Sequence, residues 1–166
     1  MLDTLTRYLE AIREPRWTYN LRRVLLPLCD RFSAQPLTSA GLAISAGGST
    51  VAKIGATDFY AVVQGTLVKI PAGTVLPALT GVIAPAGGFN VACFYVNVAG
   101  VVTVAAGAPG ATLGAVVFPQ PPQGQALIGF LIITSAGAFI GGTTPLDTAT
   151  TVYISPIGAF DATVLV

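Results

Sequence analysis

Apolar residues in the first part of the chain recur at helical spacing: Leu2, Leu5, Leu9 and Ile12 share one stripe, with Asp3, Arg7, Glu10, Arg13 and Glu14 away from it. Pro15 ends this amphipathic helix, since a proline inside a helix removes a backbone donor and clashes with the preceding turn. A second stripe runs from Trp17 through Leu21, Val24, Leu25 and Leu28, with Pro27 breaking its ladder. The pattern predicts a helical arm over residues 1–40, able either to fold back on its own domain or to dock on a neighbouring subunit.

From residue 41 to 166 the period changes. All 19 glycines except Gly41 lie beyond residue 45, and short runs rich in Val, Ile, Thr and aromatics alternate with Gly and Pro. Strands are expected at 42–46, 50–54, 59–63, 67–70, 82–84, 89–98, 101–105, 112–118, 127–134, 138–140 and 150–155. Turns are expected at Gly47-Gly48, Gly65, Pro71-Ala72-Gly73, Gly87-Gly88, Ala99-Gly100 and Gly141-Gly142. No helical segments separate these runs, so the expected fold is mainly β: an antiparallel β-sandwich or jelly-roll-like domain preceded by the arm.

The clearest hairpin is Phe89 to Val98, Ala99-Gly100, then Val101 to Ala105, where glycine supplies the positive φ of a tight turn. Phe89, Val91, Cys93, Tyr95 and Asn97 lie on one face of its first strand. Asn90, Ala92, Phe94, Val96 and Val98 lie on the other. Neither face is built for water, so the strand is central in a sandwich or covered by another subunit. The stretch Pro119-Gln120-Pro121-Pro122-Gln123-Gly124 reads as a stiff, extended surface crossing.

Composition sharpens this picture. Hydrophobic residues make up 53% of the chain and charged residues 9%, against roughly 25% charged in soluble domains. Ten of the fifteen charges fall within residues 1–31, leaving Lys53, Asp58, Lys69, Asp147 and Asp161 for everything beyond. A surface with so few charges is weakly solvated and prone to association. The arginines of the arm form a local cluster, but a net charge of +1 argues against nucleic acid as a partner.

The apolar run Ala126 to Ile140 is shorter than the roughly 20 residues a spanning helix needs, and its glycines and β-branched residues suit strands, so no membrane partner is expected. No targeting segment is found in the mixed-charge opening residues. Cys29 and Cys93 sit in unlike contexts and read as two reduced, buried thiols in a protein made in a cytoplasm.

Chemistry is sparse. The chain has no histidine, which removes Ser-His-Asp and Cys-His arrangements and the usual ligands of zinc or non-haem iron. Asp58, Asp147 and Asp161 are widely spaced, and only their convergence in one cleft would suggest acid–base work. Asp147, beside Pro145, is expected to hold a turn. Gly47-Gly48-Ser49-Thr50 with Lys53 lacks the order of a phosphate loop. Lys53, Asp58 and Lys69 are expected on strand edges, where charge discourages edge-to-edge pairing. The expectation is no enzyme, with no catalytic, cofactor-binding or metal-binding residue and no cofactor.

Several phrases in order, SAGGSTVAKI from Ser45, GTLVKIPAG from Gly65 to Gly73, VNVAGVVT from Val96, GQALIGFLIIT from Gly124 and FIGGTTPLD from Phe139, resemble small structural proteins of tailed-bacteriophage virions, over roughly four fifths of the chain. The resemblance implies a class and a setting, and no functional residue. It implies a capsid decoration or cement protein in the virion, self-associated as a homodimer or homotrimer and bound to the major capsid protein or other virion proteins. A head-fibre, tail or baseplate component is the alternative. A carbohydrate-binding adhesive module is a third, and would present aromatics beside Asp, Asn or Gln in one groove.

Overall fold

The computed structural model describes residues 33–158; residues 1–32 of the expected helical arm, with Trp17 and Cys29, and Asp161 lie outside the described residues. The described chain is mainly β, with every paired strand antiparallel. Strands β1 (Ala34–Pro36), β4 (Phe59–Val63) and β5 (Thr66–Ile70) form one sheet in the order β1-β4-β5. Strands β7 (Phe89–Val96), β8 (Val102–Ala106), β9 (Ala126–Thr134) and β11 (Thr150–Ile154) form a second, ordered β11-β9-β7-β8. Two ribbons complete the set: β2 (Ala43–Ile44) with β3 (Ala52–Lys53), and β6 (Ile83–Ala84) with β10 (Phe139–Ile140).

Side chains from both sheets share one buried cluster. Phe59, Ala61, Val63, Val68 and Ile70 come from the three-stranded sheet, and Ala92, Phe94, Val96, Ile128, Leu131 and Ile133 from the four-stranded one. Leu79, Val82, Phe139 and Leu146 close it from the connections and the β6–β10 ribbon. Each fully buried Phe or Leu contributes about 1.5–3 kcal/mol relative to exposure. The opposite face of the four-stranded sheet carries a second cluster of Val91, Cys93, Tyr95, Phe130 and Val116, with Phe118 edge-on to Phe130 at 5.2 Å between ring centres. β7 is therefore central and buried on both faces, as its two apolar faces imply.

Strand β9 reaches both clusters by means of a bulge. Leu127 stands opposite Tyr95 and Gly129 opposite Phe94, leaving Ile128 as the extra residue. The insertion switches the alternation, so that Ala126 and Ile128 on one side of it and Leu131 and Ile133 on the other all enter the larger core. Gly129 is required here: a Cβ would stand 2.5 Å from the Ile154 carbonyl oxygen and 2.7 Å from Leu42 Cδ1.

Three expectations are corrected. Residues 34–40, assigned to the arm, include strand β1, fixed to β4 by the Ala34–Val63 to Pro36–Ala61 register and by the Leu37 N–H donating to the Tyr60 carbonyl at 2.8 Å. The strand expected over 112–118 is instead a short 3₁₀ turn, Leu113–Ala115, in which the Ala115 and Val116 amides donate to the Thr112 and Leu113 carbonyls. Ala108 and Val117 exchange both backbone bonds and close this excursion into a loop, so local bonding overrides the β-branched composition. The strands expected at 42–46 and 50–54 shrink to two residues each, because the Gly55 amide is drawn to the Ala40 carbonyl and the Ile54 amide to Thr74.

Candidate functional site

The described residues carry four charged side chains: Lys53, Asp58, Lys69 and Asp147. Asp58 and Lys69 pair at 2.7 Å, with the Ala72 amide donating to the other carboxylate oxygen of Asp58 at 2.9 Å. The hydrogen bond from Lys69 and then that from Ala72 hold the Asp58 carboxyl below its usual range, and the same carboxylate raises the Lys69 ammonium. Lys69 also lies 5.8 Å from the centre of the Tyr60 ring. Lys69 sits on β5, an outer strand, where charge was expected, whereas Asp58 immediately precedes β4, the central strand of that sheet. Lys53 stands on the β2–β3 ribbon, and its backbone forms an isolated antiparallel bridge with Val75.

Asp147 accepts the Gly48 N–H at 2.7 Å, and the Leu146 amide donates to the Ser49 carbonyl at 2.9 Å, so the Gly47-Gly48 turn is a docking point for the 145–149 turn. Both described carboxylates thus serve loop geometry. Among the described residues no group of three Cys, Asp or Glu side chains lies close enough to hold a metal ion. Cys93 and Tyr95 both lie in the second cluster; burial pushes the Cys93 thiol up to about 12 and raises the Tyr95 hydroxyl as well. Neither group ionises near neutral pH, so neither offers a nucleophile or base there.

Two asparagines that sequence reasoning gave no role are structural anchors. Asn90 is buried, donates to the Ile83 carbonyl at 2.7 Å and accepts from the Val91 amide at 2.7 Å, tying β7 to the β6–β10 ribbon. Asn97 accepts from the Ala99 and Val101 amides, both at 3.0 Å, and its own carbonyl takes the Gly100 N–H. The spacing Asn-x-x-Gly after a strand was the available signal for this three-residue hairpin loop.

The remaining surface is uncharged and partly apolar. Leu67, Val75, Ile83, Val101, Val117 and Ile157 are each more than half exposed. Ile83 and Ile140 are cross-strand partners in the β6–β10 ribbon, and both side chains face outward while Ala84 and Phe139 face the core. No described helix is long and apolar enough to cross a membrane.

Fold and site together define a mainly β antiparallel module in which three of the four described charged side chains, Asp58, Lys69 and Asp147, hold other parts of the chain in place. Comparison with protein-family models, curated proteins and solved structures finds no match to this chain.

Proposed function

We propose that the chain is a non-enzymatic structural protein of a virus particle, a capsid decoration or cement protein with a sandwich-type, jelly-roll-like domain that binds the phage head through subunit interfaces. The observation that carries this reading is the described surface: four charged side chains, two of them paired with each other, beside large apolar side chains exposed on both sheets and on the β6–β10 ribbon. An isolated monomer gains nothing from such a surface, whereas an assembly subunit buries it. A bound subunit stabilises the shell by adding buried interface area and by binding only the assembled state.

The test mixes the full-length chain with tailed-phage shells stripped of accessory proteins, and follows co-sedimentation and the temperature at which the shells release DNA. Saturable binding with a raised release temperature is the expected result. Failure to co-sediment, or binding confined to isolated tails, would overturn the decoration reading.

A further inference from the structure

Among the described strands, β8 is hydrogen-bonded to β7 alone. The Asn97 amide donates to Val101 and the Gly107 amide to Val91, which fixes the alternation: Thr103 and Ala105 bond toward β7, and Val102, Val104 and Ala106 point their N–H and C=O groups outward. Among the described residues those outward groups have no hydrogen-bond partner. The open stretch has defined ends. Ala108, next in the outward series, is taken by Val117, and the Asn97–Val101 turn closes the other side.

The segment that follows Val117 cannot fill the gap. Extending the Ala108–Val117 pairing would set residue 119 opposite Ala106 and residue 121 opposite Val104, and Pro119 and Pro121 have no N–H to give. The outer strands of the other sheet are blunted, β1 by Pro36 and β5 by Lys69 with its Asp58 partner. β8 has no charge, no proline and no bulge. Its Val102 and Val104 pack on the larger core and remain partly open at the sheet edge.

We infer that β8 pairs with β8 of a second copy of this chain, antiparallel about a two-fold axis at Val104. The occupant follows from the symmetry of the gap. The three outward residues are centred on Val104, so one axis matches Val102 to Ala106 of the copy, Val104 to itself and Ala106 to Val102, satisfying all of the open groups at once. The pairing buries no charge, and it closes the exposed flanks of Val102 and Val104. The result is a continuous sheet running through both copies.

The inference rests on the reading of the chain as an assembly subunit that self-associates as a homodimer or homotrimer, and it is tested without any capsid. A monomer that still binds shells overturns this pairing alone; a β8 dimer that ignores shells overturns only the virion role. Light scattering on the full chain between about 10 μM and 1 mM should give twice the 16.9 kDa protomer mass, with the Val102, Val104 and Ala106 amides protected from hydrogen exchange. Val104→Lys sets like charges against each other across the axis and should give monomers in which those three amides exchange quickly while those of Thr103 and Ala105 stay protected.

Val104→Glu alone should behave the same way, and mixing the two variants should restore the dimer, which a merely structural defect would not do. Ala106→Pro removes one outward donor at an exposed position and should weaken pairing at least about tenfold should the Val104 variants fail to fold. Monomeric wild type across the range overturns the inference. So does an oligomer whose three outward amides exchange freely, or a dimer unchanged by these substitutions.

Discussion

The Gly48 amide donates to the Asp147 carboxylate at 2.7 Å although 99 positions separate them, and this bond joins the turn between β2 and β3 to the turn before β11. Among the described residues one further backbone bond, from the Leu146 amide to the Ser49 carbonyl, supports the junction. Asp147→Ala is therefore expected to speed exchange at the Gly48 amide by about tenfold, a local opening of the size one charge-assisted bond supports. Asp147→Asn keeps an acceptor and should fall between. Residue-resolved hydrogen exchange reads both; unchanged exchange at Gly48 in the alanine variant would show that the bond contributes nothing in solution.

Asn97 caps the β7–β8 hairpin with one side-chain oxygen shared by two amides, those of Ala99 and Val101. Asn97→Ala leaves both amides to water and should cost about 1–2 kcal/mol in chemical denaturation, while Asn97→Asp retains the acceptor and should cost less. Equal losses for the two variants would place the effect elsewhere than in this oxygen.

Glycines offer a graded comparison on one background. Gly129→Ala drives a Cβ against the Ile154 carbonyl and Leu42, and is expected to cost about 1–3 kcal/mol because backbone cannot step aside cheaply. At Gly137 an added Cβ meets nothing within 4 Å and the backbone is not left-handed, so Gly137→Ala should be neutral or stabilise by up to about 1 kcal/mol. Melting curves of the two variants distinguish steric need from conformational freedom.

The fold was most legible where alternation and turn chemistry agree. Phe59 to Val63 is a strand with those bounds, and the apolar pattern on both faces of 89–96 announced a strand buried on both sides. The bulge was hidden because ALIGFLIIT is apolar throughout, so a switch of face at Ile128 leaves no mark except Gly129. β1 was hidden because three residues ending in proline carry no period, and pairing with β4 alone makes them a strand. The 112–118 segment misled because β-branched residues are equally at home in a loop closed by Ala108 and Val117. Of the surface, the scarcity of charge was visible in the sequence. The open edge of β8 was not, since which amides face outward depends on register.

The Asp58–Lys69 pair makes its own forecast with pH. Because the folded state lowers the Asp58 pKa from 3.8, its contribution is present above that value and is lost as pH falls through the lower folded value. Because Lys69 is raised from 10.5, its contribution is present below that value and is lost as pH rises through the higher folded one. Between these limits the pair should leave stability flat, and its size should be small and sensitive to salt, since the Lys69 side chain is 51% exposed. Carboxyl NMR should find the Asp58 midpoint below 3.8, moving upward in Lys69→Met and also as salt is added to the wild type. A midpoint that Lys69→Met leaves unmoved would mean that the Ala72 amide alone holds the carboxylate and that the charge on this outer strand is free to repel an approaching edge.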